Sequence, residues 1–304
     1  MILCCGEALI DMLPHESDAS LPAFAAHPGG AVFNTAIALA RLGAPTGFFS
    51  GISTDLFGEM LVARLIADGV DTTPLARSDR PTTLAFVTLD EGQATYAFYD
   101  ENTAGRMIGA EDLPQTDGIE ALFFGGISLV VEPCAGIYMA LATREAMRRT
   151  IMCDPNIRPS FVSDVRTYRT RIEHMLSISD IVKLSDEDLV WLSGSHGRDA
   201  ARAILSRGPR LVCVTEGARG VTGYTAAGET FVPARTADVV DTVGAGDTFN
   251  AGLLASLEAD GMLAKGRIGS LDEATVTRAL ELGVRAAAVT VAREGADPPR
   301  RDEL

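Results

Sequence analysis

The chain has 304 residues, 47% of them hydrophobic and 22% charged, a balance that supports a sizeable core and excludes disordered or collagen-like chains. Twenty-six Lys and Arg against 41 Asp and Glu leave a formal charge of −15. Such a surface repels phosphodiester backbones and anionic lipid, so neither nucleic acid nor a membrane is an expected partner.

Ile2–Leu9 is a short apolar run that predicts a buried strand, whereas residues 12–27, rich in Pro, His, Ser and Ala, fit no helix. An amphipathic helix is predicted over 31–43, a strand over Thr46–Ile52 and a helix over 56–68. Leu84–Asp90 and Gln93–Tyr99, joined by Glu91-Gly92, read as a β-hairpin with no helix between them. Strands are then predicted at Ala121–Ile127, Thr150–Cys153, Ile181–Leu184 and Leu211–Thr215. Helices over 135–148, 166–178 and 199–207 separate them, and two more over 247–260 and 272–292 follow. This alternation predicts a mainly parallel sheet with helices on both faces. No repeat or linker divides the chain, so a single domain over 1–304 is expected. Segments of about 12–27 and 84–100 would form a small β lid or, on pattern alone, a surface loop and an edge hairpin.

Cys4, Cys5, Cys134, Cys153 and Cys213 are odd in number, with two adjacent and no C-x-x-C pair, which points to free thiols in a reducing compartment. His15, His27, His174 and His196 show no metal-ligand spacing. The longest apolar stretch, Ala121 to Val131, is too short to span a bilayer, and the N-terminus lacks a basic leader. The terminal Arg301-Asp302-Glu303-Leu304 resembles a retention signal but has no leader to accompany it, so a cytoplasmic location is expected.

The stretch Asp241-Thr242-Val243-Gly244-Ala245-Gly246-Asp247-Thr248-Phe249-Asn250-Ala251-Gly252 places small residues immediately before a helical pattern. A glycine-rich turn entering a helix presents unpaired N–H groups and the positive end of the dipole to phosphate oxygens. Asp247, in that first turn, reads equally well as an ordinary helix-start carboxylate or as a base beside an anion hole. Gly29-Gly30 also precede a helix, and Asn34 lies one turn in.

Together these two stretches resemble the two signatures of the PfkB carbohydrate kinase family, which has the ribokinase-like fold. The match runs through Gly6–Asp11, Gly51–Gly58, Asp154–Arg158, Thr215–Gly220 and Gly295–Pro299 in family order. The wording is most similar to bacterial fructokinases, notably at Phe98–Glu101 and Asp154–Phe161. The resemblance implies a three-layer α/β/α sandwich with a small β lid and transfer of the ATP γ-phosphate to a primary hydroxyl of a sugar. It makes Asp247 the base, with Gly244, Ala245 and Gly246 forming the anion hole. Asp11, Gly29, Gly30, Asn34, Phe98, Tyr99 and Arg158 would bind the sugar, and Lys183, Ser185, Thr215, Gly217, Gly220 and Gly246 the nucleotide. Magnesium is implied, organised through water by Asp188 or Glu187, because Ser185 and Asp188 stand where relatives often carry N-x-x-E. Asp241 matches a monovalent-cation (K+) site, Val284 replaces an adenine-side Asn of many relatives, and a homodimer is implied by the family.

Related 2-keto-3-deoxygluconate kinases carry an Arg where this chain has Asp100, and an Asp there would repel a carboxylate unless Arg106 or Arg158 compensates. No basic cluster for a phosphosugar lies near Asn34. Fructose is therefore the expected acceptor, followed by ribose, a nucleoside and the sugar acid. A non-catalytic sensor would have lost Asp247 or the glycines, and both are present. No G-x-G-x-x-G follows the first strand and no P-loop motif occurs, which excludes a dinucleotide oxidoreductase and a P-loop NTPase.

Overall fold

The computed structural model describes residues 1–15, 23–90 and 93–304. In chain order the strands are β1 (Ile2–Cys5), β2 (Leu9–His15), β3 (Ala23–Gly29), β4 (Thr46–Phe49), β5 (Gly51–Ser53), β6 (Ala76–Ser78) and β7 (Leu84–Asp90). They continue as β8 (Gln93–Tyr99), β9 (Ala121–Gly125), β10 (Thr150–Asp154), β11 (Ile181–Ser185), β12 (Leu211–Thr215), β13 (Gly220–Thr225) and β14 (Gly228–Pro233). The helices are α1 (Ala31–Arg41), α2 (Leu56–Ala67), α3 (Cys134–Glu145), α4 (Val165–Ile178) and α5 (Asp186–Ser193). α6 (Arg198–Leu205), α7 (Ala245–Ala259) and α8 (Glu273–Thr290) complete them.

An eight-stranded sheet in the order β14-β13-β12-β11-β10-β9-β1-β4 forms the centre. Its strands are parallel from β4 to β12, and β13 and β14 run antiparallel at one edge. Successive residues of a strand point to opposite faces, and here both faces are covered. Ile2, Cys4, Phe48, Phe123, Met152 and Ile181 face a core shared with α1, α7 and α8. Leu3, Cys5, Phe49, Phe124, Ile151 and Val182 face a second core with α3, α4 and α6. The predicted three-layer α/β/α sandwich is thus present, held by two cores of buried aliphatic and aromatic side chains rather than by cross-links. All five cysteines are free and buried.

A second sheet of four strands, β3-β2-β7-β8, stands apart from the first. β2 pairs antiparallel with β3 and parallel with β7, and β7 with β8 forms the predicted hairpin, whose Glu91-Gly92 turn lies outside the described residues. Part of 12–27, expected as a segment of a small β lid or as a surface loop, is strand: β2 extends to His15 and β3 begins at Ala23, both in this second sheet. Ile2–Leu9 is likewise two strands on two sheets. At Gly6 a Cβ would stand 2.5 Å from Val32 Cγ2, so only glycine lets α1 pack over the point where the chain leaves the large sheet.

The carboxyl ends of β1, β9, β10, β11 and β12 lie along one edge of the large sheet. Between β1 and β9 the strand order changes direction, leaving a crevice where open α/β sheets bind ligands.

Candidate active site

The crevice is a cavity of about 330 Å³ lined from both sheets and from the start of α7. The small sheet contributes Leu9, Asp11 and Phe98, and the large sheet's strand ends contribute Glu7, Gly126 and Ile127. Gly30, Ala31 and Asn34 come from the start of α1, and Asn156, Arg158 and Ser160 from the loop after β10. Thr242, Val243, Gly244, Gly246 and Asp247 close the remaining wall.

Gly244 has φ 76°, a left-handed conformation that turns the chain into α7, and a Cβ there would fall 2.8 Å from Ala296 Cβ. Ala245 N–H donates to Thr242 O (3.3 Å), and Thr248 N–H makes the first helical bond, to Gly244 O (2.8 Å). The N–H groups of Gly246 and Asp247 thus belong to the initial turn, where the helix dipole favours an anion.

Asp247 is 8% exposed. Its Oδ2 accepts a 2.9 Å bond from Asn34 Nδ2, and its carbonyl accepts from Thr35 Oγ1 at 3.2 Å. Burial pushes the Asp247 carboxyl up to about 7. The Asn34 bond and Lys183 oppose that rise, and Asp154 and Glu7 add to it. Asp11, on β2, is pushed up to about 6 by burial. Gly29, on β3 opposite Leu9 and so diagonal to Asp11, leaves room for it: a Cβ on Gly29 would fall 2.2 Å from Asp11 Oδ2. Gly30 has φ 111° and starts α1. Phe98 packs edge-on against Phe161 with ring centroids 4.8 Å apart. Arg158 Nη1 donates to Asn156 Oδ1 (2.7 Å) and to Ile157 O (3.2 Å), so its guanidinium is tied to its own loop.

The remaining candidates lie outside this cavity. Tyr99 points to the other face of the small sheet, 62% exposed, with its ring 5.5 Å from that of Phe86. Lys183 lies behind the α7 terminus, with Nζ 3.1 Å from Asp154 Oδ2. Ser185 caps α5: its Oγ accepts from Asp188 N–H, and its own N–H donates to Asp188 Oδ2, both at 3.0 Å. Asp188 Oδ1 accepts from Ile157 N–H at 2.9 Å, so both oxygens of Asp188 hold backbone, and the neighbouring Glu187 is exposed. Thr215 Oγ1 donates to Leu184 O (3.3 Å) at the end of β12. Gly217 (φ 54°) and Gly220 (φ 125°) shape the turn that follows, and a Cβ on Gly220 would strike Val232 O at 2.2 Å. Asp241 accepts from Val243 N–H (3.0 Å) and from Gly295 N–H (2.9 Å), fixing the loop before α7. Val284 is buried in the core.

Asp100 pairs with Arg106 (3.2 Å) and does not line the cavity, so its charge is already answered. The carboxylates of Glu7, Asp11 and Asp247 against the one Arg158 make the cavity lining acidic in its own right. Glu7 went unassigned in the sequence. Its Oε1 accepts from Ala31 N–H (3.1 Å) and its Oε2 from Ser128 N–H (3.3 Å), joining α1 to the segment after β9. Burial pushes its carboxyl up while these bonds oppose the rise. Its one sequence signal is a lone acid after a buried apolar strand.

Among the described residues no cluster of three or more His, Cys, Asp or Glu side chains is arranged to hold a metal ion.

A family model for the pfkB family carbohydrate kinases matches residues 1–303. A fructokinase from Rhizobium leguminosarum bv. trifolii is 56% identical over 276 residues, covering 90% of this chain and 84% of that one. The structure of Xylella fastidiosa fructokinase with bound ATP has a TM-score of 0.90 at 30% identity, covering 97% of this chain and 93% of that chain. Vibrio cholerae O395 fructokinase with fructose, ADP and calcium ion has a TM-score of 0.85 at 26% identity, covering 97% and 94%. A match that spans the ribokinase-like fold and nearly every residue leaves one assignment: the chain belongs to the pfkB family of carbohydrate kinases.

Proposed function

We propose that this protein transfers the γ-phosphate of ATP to the 6-hydroxyl of fructose. The observation that carries this reading is the buried Asp247 carboxyl, held by Asn34 at the N-terminus of α7 and facing an acid-lined cavity of sugar size. Asp247 accepts the hydroxyl proton as the sugar oxygen forms its bond to phosphorus and the bond from phosphorus to the ADP oxygen breaks. The α7 N-terminus meets the charge on the transferring group, which is the larger part of what a protein can offer so loose a transition state. Asp11 and Asn34 accept from and donate to sugar hydroxyls, and Phe98 covers an apolar face of the ring. Glu7, Asp11 and Asp247 together disfavour a sugar acid or a phosphosugar, which supports a neutral acceptor.

Thr215, Gly217 and Gly220 line the nucleotide's path along the strand ends, with Lys183 and Ser185 beneath it. Magnesium fits this arrangement as a companion of the nucleotide phosphates rather than as an ion held by a protein cluster, and it neutralises phosphate charge when bound. Asp241 and the carbonyls near it are the place for a monovalent cation. One domain carries both sheets, and the small sheet serves as the lid. Its outer face shows Phe24 (38% exposed), Phe86 and Tyr99 in an edge-to-face row with centroids 5.1 and 5.5 Å apart, and this face fits a second copy of the chain. Buried free thiols support work in the cytoplasm, and among the described residues no helix is long and apolar enough to cross a membrane.

The test is ADP release from Mg-ATP with fructose, ribose, 2-keto-3-deoxygluconate, adenosine and inosine. A kcat/KM for fructose at least tenfold above the others is expected. Preference for the acid would overturn the charge argument, and silence across the panel would favour a sugar-binding sensor.

A further inference from the structure

Behind the α7 N-terminus lies a charge pair with no direct access to the acceptor. Lys183 is one of two lysines in the chain and lies on the β11 face that also carries Ile181 into the α1, α7 and α8 core. Its Nζ is 3.1 Å from Asp154 Oδ2, and the two side chains are 5% and 2% exposed. The same Oδ2 accepts a 2.7 Å bond from Asn250 Nδ2, one helical turn beyond Asp247, and Asp154 Oδ1 accepts from Asn156 N–H at 3.1 Å. On the other side, a Cβ built on Gly246 would stand 3.2 Å from Lys183 Nζ, so the ammonium lies against the backbone of the anion site.

A buried ion pair is a weak source of stability, because desolvating two charges offsets most of their attraction and apolar residues of similar size often serve as well. Its placement gives it another use. Burial works against the Lys183 charge, but Asp154, with Asp188 and Asp247 further off, holds the ammonium pKa above its ordinary value. The pair then acts on Asp247 with opposite signs, Asp154 disfavouring its ionisation and Lys183 favouring it. Glu7 from the end of β1 and Asn34 from α1 also face Asp247, with Asp11 on β2 and Arg158 after β10 lining the same cavity.

We propose that Asp154 is a positioning residue: anchored by Asn250 and Asn156, it holds the Lys183 ammonium under Gly246, and the pair sets both the protonation of Asp247 and the positive charge beneath the transferring phosphate. The catalytic half of this inference rests on the kinase reading; the electrostatic half belongs to the protein without substrate.

The test is the titration of the Asp247 carboxyl by ¹³C NMR in the ligand-free full-length protein, assigned by its loss in Asp247→Asn. The midpoint is expected to rise in Lys183→Met and to fall in Asp154→Asn, each by about one pH unit. The double variant, which leaves no unpaired buried charge, is expected to keep the wild-type midpoint and yet to lose kcat on fructose by about tenfold or more. It carries the test where a single variant does not fold. Midpoints that move in the same direction in both single variants, or in neither, overturn the proposal, as does a folded double variant with wild-type kcat. A wild type inactive on every acceptor would count against the kinase reading alone, and the titration would still decide this one.

Discussion

Asn34 and Asp247 are 213 residues apart in sequence, and their side chains meet at 2.9 Å, joining the first turn of α1 to the first turn of α7. The bond aims one carboxylate oxygen and, on the proposed reading, leaves the other for the acceptor hydroxyl. An amide donor favours the ionised form of Asp247, while burial opposes it.

Replacing Asp247 with Asn keeps the shape and the Asn34 contact but removes the proton acceptor. Its kcat on fructose should fall by about 10²- to 10⁴-fold, with ATP affinity within a few-fold of wild type. Steady-state kinetics and calorimetry separate the two, and near-normal turnover would remove Asp247 from the mechanism.

As the proposed base, Asp247 must be ionised to act, and burial pushes its carboxyl up to about 7 and that of Asp11 to about 6. On a logarithmic plot, kcat/KM for fructose should level off above pH ~7.5, fall with slope one just below 7, and steepen toward two below 6. A profile flat from pH 5 to 8 would contradict both assignments.

The same groups predict a stability effect of defined sign. A carboxyl whose folded pKa lies above its unfolded value favours the folded state when protonated, and that contribution is lost as pH rises from about 4 through about 7. Asp247→Asn should therefore melt above wild type at pH 8 and converge with it near pH 4, by thermal unfolding without ligands. A variant less stable at pH 8 would show that the Asp247 charge is not a burden to the fold.

Asp11 and Gly29 should act as one unit, because a Cβ on Gly29 would occupy the place of Asp11 Oδ2. Asp11→Asn and Gly29→Ala are each expected to raise the fructose KM about tenfold or more with a smaller change in kcat, and the double variant should add little to either. Additive effects would mean that Gly29 matters for another reason.

The aromatic row of the small sheet predicts that Tyr99→Arg weakens self-association. Analytical ultracentrifugation should show a dimer for wild type and a larger monomer fraction for the variant at equal concentration. A monomeric wild type would dismiss the dimer.

The fold and the centre of the site were legible because they depend on local patterns. Alternating buried runs gave the layers, and glycines before helices marked Gly30 and Gly244, both with positive φ. Phe98 and Tyr99 show where local reading needed one more step: neighbours in a strand face opposite ways, so only one could line the cavity. α5 is eight residues long, too short for a clear helical period, and was announced only by the Ser185–Asp188 cap and Gly194 at its end. Glu7 and Asp154 owe their surroundings to segments more than 20 residues distant, which no local pattern reports.

Asp11 belongs to the small sheet and Asp247 to the first turn of α7 over the large one. On the proposed reading the acceptor would be gripped from one layer and activated from another, and a molecule would have to be long enough to touch both. Water would satisfy only the Asp247 side, so on that reading the two-layer architecture would keep ATP from being spent on hydrolysis when no sugar bridges it.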